Sequence, residues 1–285
     1  MKLGLSSYSL VRALQAKEMD ILNVLDWVAE HGGEHIEIVP LGFQLAGNPE
    51  LIDAIRERAQ TLGLDISNYA IGANFLTESP EAYEAEIQRV MREVDIAARL
   101  GVKRMRHDVA SSPDRSIRSF NRELGRLADA CRRIADYAAP YGIVTSVENH
   151  GYYVQASDRV QALIHAVDRE NFRTTLDIGN FLCVDEDVLS AVRKNVPYAS
   201  MVHVKDFYIR PFHSNPGTGW FRSSGGNYLR GAIAGHGDID IREALRIVKQ
   251  SGYDGYVSLE FEGLEDCRTG SKLGLENVRR LWDEV

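Results

Sequence analysis

The stretch Ile143-Val144-Thr145-Ser146-Val147-Glu148-Asn149-His150 sets an apolar, β-branched run directly against a carboxylate, an amide and an imidazole. A half-buried antiparallel strand alternates apolar and polar residues. A run that turns polar only at its C-terminal end instead suits a parallel strand buried on both faces, with its chemistry at the C-terminal mouth. Three later stretches repeat the form: Phe172-Arg173-Thr174-Thr175-Leu176-Asp177, Met201-Val202-His203 and Tyr256-Val257-Ser258-Leu259-Glu260. Each ends in a side chain able to bind a metal ion.

Working outward from these four, strand-like segments also occur at 3–7, 35–39, 64–71 and 102–109. Between them run apolar-striped segments with helix punctuation: Pro49 opens one that Gly63 closes, Pro80 opens one that Gly101 closes, and a long one from about Ser116 reaches Gly142. Further helices are expected over Ile21 to Val28, ended by Gly32-Gly33, and near 157–167, 187–192, 241–251 and 272–284. Eight strands alternating with eight helices predict an α/β chain, a (β/α)8 TIM barrel forming a single domain over residues 1–285. The rival, an open doubly wound sheet in its dinucleotide-binding form, needs a glycine-rich turn after the first strand, and Ser6-Ser7-Tyr8-Ser9 is not one.

The segment from Lys205 to Asp240 is too long for an ordinary connection. It mixes Pro211, Pro216 and several glycines with Phe207, Tyr208, Phe212, Trp220, Phe221 and Tyr228. This excursion between the seventh strand and the seventh helix, at about 205–240, reads as a lid over the site; a surface excursion or subunit contact is the alternative.

The formal charge of −8 opposes phosphate-backbone binding, so no nucleic-acid partner is expected and a small polar substrate is more natural. Cys131, Cys183 and Cys267 are odd in number and far apart, without a Cys-x-x-Cys pattern, which fits a reducing cytoplasm. No apolar run is long enough to span a bilayer, so no membrane partner is expected.

In a barrel, Glu148, Asp177, His203 and Glu260 converge at the C-terminal face. Three carboxylates and an imidazole repel and titrate one another unless a cation joins them, and this mainly oxygen set suits one divalent metal ion. Manganese is favoured, with magnesium, cobalt or zinc as alternatives. Glu37 at the end of the second strand, and Arg104 or His107 in the fourth, are expected to point into the mouth. His150 follows a ligand by two residues, and Lys205, Asp206 and Arg210 follow His203, so these are candidates to bind a substrate hydroxyl or phosphate. His236, between Gly235 and Gly237, has a backbone that permits close approach to a ligand.

The motifs Val147-Glu148-Asn149, Leu176-Asp177-Ile178-Gly179-Asn180, His203-Val204-Lys205-Asp206, Gly235-His236-Gly237-Asp238-Ile239-Asp240 and Leu259-Glu260 resemble those of the xylose-isomerase-like TIM barrel superfamily. The resemblance covers nearly the whole chain. That group includes sugar isomerases, ketose 3-epimerases, inosose dehydratases and apurinic endonucleases. It implies a single divalent metal held by Glu148, Asp177, His203 and Glu260. It also implies a substrate-binding place three residues after the aspartate; the epimerases carry histidine there, whereas this chain has Asn180. The further histidine ligands of the endonucleases are not evident.

The expected activity is that of a metal-dependent sugar or polyol isomerase or epimerase, working through an enediolate with Glu148 and Glu260 as the proton-transfer pair. The alternative is a dehydratase or lyase of a keto-polyol or oxidised sugar on the same site; a non-catalytic sugar-binding barrel and an apurinic endonuclease rank lower. Trp220, with Phe207 or Phe221, is expected to stack on a sugar face while Lys205 or Arg210 bonds the other. Aromatic exposure at the mouth, and the habit of the resembling barrels to pair, imply a homodimer or homotetramer.

Overall fold

A computed structural model describes residues 1–285. The elements run β1 (Lys2–Ser6), α1 (Val11–Gln15), α2 (Ile21–Glu30), β2 (His35–Ile38), α3 (Pro49–Leu62), β3 (Asp65–Ile71), α4 (Pro80–Leu100), β4 (Arg104–His107), α5 (Ile117–Ala138) and β5 (Val144–Glu148). They continue with α6 (Ser157–Val167), β6 (Phe172–Asp177), α7 (Val188–Asn195), β7 (Ala199–Val204), β8 (Asp206–Arg210), β9 (Phe221–Arg222), β10 (Tyr228–Ala232), α8 (Ile241–Gln250), β11 (Tyr256–Leu259) and α9 (Cys267–Asp283).

Eight strands close a parallel barrel in the order β1-β11-β7-β6-β5-β4-β3-β2, with helices around it. The (β/α)8 expectation is therefore met. Helix ends lie where the punctuation placed them. Asn48 and Ser79 accept hydrogen bonds from the backbone N–H groups of Leu51 and Ala82 to open α3 and α4, and Gly63 and Gly101 close them in the left-handed conformation. The apolar core lies mainly between strands and helices, where Leu5, Ile38, Val147 and Leu176 join the cluster that contains Val24, Ile55, Leu127 and Leu163.

Alternation sends the other face of each strand into the barrel. Ser146 and Thr175 bond each other there at 2.9 Å, in the same strand phase as Glu148 and Asp177 above them. The β5 run is thus apolar only on its helix side.

Two features depart from expectation. A short helix, α1, follows β1, and the 205–240 excursion is ordered as an antiparallel sheet, β8-β10-β9. Its inner face buries Phe207 and Leu229, while Tyr208, Arg210, Arg222, Tyr228 and Arg230 alternate onto the other. Asp185 ties the hairpin down by accepting bonds from Ser223 Oγ (2.6 Å) and Asn227 Nδ2 (2.7 Å), and Tyr152 donates to the Arg222 carbonyl at 2.8 Å. No helix is long and apolar enough to cross a membrane, and all three cysteines are buried and unpaired.

Candidate active site

Four side chains meet where β5, β6, β7 and β11 end. One donor atom from each of Glu148, Asp177, His203 and Glu260 lies within 4.8 Å of the others, and all four residues are buried. The backbone register sets Asp177 opposite His203, while the Glu260 N–H donates to the Val204 carbonyl at 3.0 Å just beyond β11. Asn149 locks β5 to β6: its Nδ2 donates to the Asp177 carbonyl and its Oδ1 accepts from the Asp177 N–H, both at 2.8 Å. Gly179 is required by close approach, because a Cβ there would run into the Lys205 carbonyl.

His203 is oriented from across the barrel. Its Nε2 donates to Glu37 Oε2 at 2.8 Å, and Glu37 is held in turn by Asn68 Nδ2 (3.0 Å) and Ser6 Oγ (2.9 Å). This fixes the tautomer and presents Nδ1 to the carboxylates, as a carboxylate behind a metal-binding histidine does. Nδ1 stands 3.7 Å from Glu148 Oε1, 3.9 Å from Glu260 Oε1 and 4.0 Å from Asp177 Oδ2. These separations exceed hydrogen-bond range. Donors sharing one ion at bonds of about 2.1 Å stand roughly 3–4 Å apart, which matches.

His203 Nδ1 and Asp177 Oδ2 are buried without any hydrogen-bond partner. Burial pushes Asp177 up to about 7, with Lys205 opposing and the charges of Glu148 and Glu260 adding to the shift. A cation at the common point satisfies the orphaned atoms and restores the ionised carboxylate, so the donor set fits one divalent metal ion.

The cluster opens on a cavity of about 460 Å³. Of the four cluster residues, Glu148 and Glu260 line it, whereas Asp177 and His203 do not. Each of the two glutamates is backed by a buried cation that also lines the cavity. Arg106 Nη2 lies 2.7 Å from Glu148 Oε2, an ion pair off the line of a hydrogen bond, and Lys205 Nζ lies 2.7 Å from Glu260 Oε2.

The sequence model of the family described as xylose isomerase-like TIM barrel matches residues 25–281. The chain belongs to that family. Among its relatives is an inosose dehydratase of Clostridium perfringens, 22% identical over 234 residues that make up 75% of each chain. Among solved structures, the IOLI protein with a zinc atom superposes with a TM-score of 0.77 at 17% identity, covering 100% of this chain and 97% of its own. The 3-keto-D-glucoside 4-epimerase YcjR of E. coli gives 0.74 at 17% identity over 98% and 99%. The two structures share the fold of this xylose isomerase-like barrel.

The other expected site residues divide. His150 and Lys205 line the cavity, and His150 Nδ1 pairs with Asp108 Oδ1 at 3.2 Å. Glu37 and Asn180 are buried behind it. Asn180 donates from Nδ2 to Glu148 Oε1 at 3.1 Å and from its backbone N–H to Asp177 Oδ1 at 2.8 Å, which organises the cluster from behind.

His107 does not point into the mouth. It lies in the opposite strand phase to Arg106, near the rings of Phe75 and Phe172, and burial pushes its pKa down to about 4. Arg104 faces the other end of the barrel, where its Nε donates to the Ser200 carbonyl. Arg210, Trp220 and His236 do not line the cavity either. Arg210 pairs with Asp238 at 3.1 Å and stacks on Trp220, and Phe207 is fully buried. The glycines around His236 serve Asp206 instead: the N–H groups of Gly235 and Gly237 donate to its Oδ2 at 2.9 and 2.8 Å. Sequence reasoning passed over Arg106, Tyr8 and Glu262, all cavity-lining. The two-residue period marks Arg106 from Arg104 and Glu262 from Glu260; no signal marks Tyr8, which sits in the 3-10 turn Ser7–Leu10.

Proposed function

We propose that the chain is a divalent-metal-dependent isomerase or epimerase of a keto-sugar or keto-polyol, moving a proton on a carbon next to a carbonyl. The observation that carries this is the selective exposure of Glu148 and Glu260, the two cluster residues that face the cavity. A divalent ion held by Glu148, Asp177, His203 and Glu260 supplies Lewis-acid polarisation of a carbonyl oxygen; manganese is favoured by the oxygen-rich set, while the IOLI neighbour carries zinc.

Glu148 and Glu260 take and return the proton at Oε2, the oxygen each turns toward its cation. Arg106 cannot release a proton under these conditions, so it fixes Glu148 and favours its ionised form. Lys205 can release one, and its ammonium at Glu260 Oε2 supports a second reading: protonation of a departing β-hydroxyl, as a dehydratase requires. The inosose dehydratase among the relatives supports that alternative. His150, held by Asp108, orients a substrate hydroxyl at the rim.

The exposed Phe212 and Leu264 near the mouth support a homodimer or homotetramer, and the unpaired cysteines support a cytoplasmic setting. The metal-loaded protein is to be incubated in heavy water with a panel of keto-sugars and inososes, and the products analysed by NMR and mass spectrometry. Deuterium at the carbon next to the carbonyl with mass otherwise conserved supports the isomerase; loss of water selects the dehydratase. Absence of exchange at every carbon overturns both.

A further inference from the structure

Resting on the reading of the site as a keto-sugar enzyme, we infer that its substrate is uncharged and carries an apolar substituent, such as the aglycone of a keto-glycoside. The substituent lies in an arm of the cavity that crosses the ends of β2 and β3. Two properties of the lining converge on this class.

The first is charge. Three cationic side chains line the cavity, and each is already engaged. Arg106 is shared by Glu148 (2.7 Å) and Asp108 (3.3 Å). Lys205 is shared by Glu260 (2.7 Å), Glu262 (3.4 Å) and Asp177 (3.6 Å). Arg89 makes two 2.8 Å bonds to Glu86 and donates to the Gly72 carbonyl at 2.7 Å. Carboxylates outnumber these cations along the lining, which includes Glu93, Asp108 and Glu262 besides the two cluster glutamates. Away from the metal cluster, a phosphate or carboxylate on the substrate would find no free cationic side chain and would meet Asp108 or Glu262 as a like charge. An uncharged molecule meets neither problem.

The second is asymmetry. The cluster, His150 and Lys205 crowd one side of the cavity. The opposite side, from Val39-Pro40-Leu41 to Ala70-Ile71-Gly72, offers no polar side chain. A free inosose or hexose carries hydroxyls around its whole ring, and each one buried there without a partner costs about 1–3 kcal/mol. An apolar group in the same place gains roughly 25 cal/mol per Å² covered. Leu41, 40% exposed at the rim, is the large apolar side chain left uncovered on this arm. Beyond it the arm ends at Arg89 and Glu93, whose polar atoms are engaged within the Glu86-Arg89-Glu93 group and by Tyr69. The arm therefore presents an apolar wall closed by an end whose single cation is outnumbered by two carboxylates, which again disfavours an anion.

Binding separates this inference from the chemistry. Titration calorimetry on the manganese-loaded protein with methyl β-D-glucoside, phenyl β-D-glucoside and glucose 6-phosphate is expected to show the phenyl glucoside bound at least tenfold more tightly than the methyl, and the phosphate most weakly. Leu41→Asp is expected to narrow the phenyl-to-methyl ratio below threefold, with Leu41→Asn intermediate; the rim position and a circular dichroism check keep folding out of the comparison. Equal affinity for the two glucosides, tightest binding of the phosphate, no measurable binding of either glucoside, or an unchanged ratio in Leu41→Asp each overturn the inference. A phenyl preference without proton exchange on any keto-sugar upholds the arm and sinks the catalytic reading. Exchange without a phenyl preference does the reverse.

Discussion

The mouth cluster and the excursion over β8–β10 both bury carboxylates near a glycine-rich motif, yet they do opposite things with them. At the mouth, Asp177 Oδ2 and His203 Nδ1 are buried with no partner, and they face a common point with two further carboxylates. In the excursion, the Asp206 carboxylate accepts from the backbone N–H groups of Phe207 (2.8 Å), Gly235 (2.9 Å), Gly237 (2.8 Å) and Ile239 (3.4 Å). Asp185, exposed and outside the excursion, is likewise spent on it, accepting from the side chains of Ser223 and Asn227. Buried polar atoms left unspent and converging mark a site that a ligand completes; buried polar atoms fully spent on the chain mark architecture.

The largest effect expected from this difference is at Glu260. Glu260→Gln keeps the shape and leaves Lys205 with Glu262 and Asp177, but it removes one carboxylate charge from the cluster and, on the reading proposed, its proton acceptor. Turnover is expected to fall about 10³-fold, read as kcat alongside metal content. Retention of more than a tenth of the activity would show that the cluster is not the reacting centre. Asp206→Ala tests the other half of the comparison. Stripping four backbone N–H groups of their acceptor is expected to cost about 3 kcal/mol in urea unfolding, at the upper end for one buried group, while kcat per folded molecule stays within about twofold. A collapse of kcat in stable Asp206→Ala would place this carboxylate in the chemistry instead.

Unspent nitrogens occur elsewhere too, and they sharpen the rule. His35 Nδ1 and His107 Nε2 are also buried without partners, but they lie outside the cluster, and burial pushes each pKa down to about 4. They are neutral imidazoles. The unfolded chain takes up protons at these residues below about 6.5, whereas the folded one does so only near 4. Their contribution to stability is therefore intact above 6.5 and lost as the pH falls from 6.5 to 4, by about 3 kcal/mol for each. Unfolding free energies of wild type and His107→Asn across that range should converge toward pH 4. Parallel curves would mean that His107 is charged in the fold.

The comparison also explains what was legible in the residues. Punctuation by Pro49, Gly63, Pro80 and Gly101 made the alternating units readable, and the ends of β5, β6, β7 and β11 carried the cluster because strand ends and mouth coincide in a barrel. Arg106 was missed although it shares the phase of Arg104, since the fourth strand Arg104–His107 has polar residues on both faces and no apolar alternation to show which face points inward or how far up the mouth lies. The hold of Glu37 on His203 crosses the barrel interior between strands three places apart in the ring, and no local pattern encodes such a pairing. The order within the excursion escaped the sequence for a related reason. Its glycines and aromatics are what a flexible cover would carry, but equally what a tight hairpin needs to turn and to bury Phe207; only the anchors at Asp185 and Tyr152 decide between them.

The smallest effect, and the one that most directly probes the excursion, is expected from Trp220→Ala. Trp220 lies under the guanidinium groups of Arg210 (5.6 Å) and Arg230 (5.0 Å), and its ring is directed to that stack rather than to the cavity lining. Its removal forfeits two partly exposed cation–π contacts, about 1 kcal/mol in all. KM should stay within about twofold. Tyr8 makes the contrast, because it lines the cavity, with its ring centroid 5.9 Å from Lys205 Nζ, and offers an aromatic surface beside the cluster. Tyr8→Ala should raise KM at least tenfold, with metal content unchanged. If instead Trp220→Ala raises KM tenfold in a protein that melts like wild type, the β8–β10 sheet closes over bound substrate, and the division drawn between the two regions fails at its boundary.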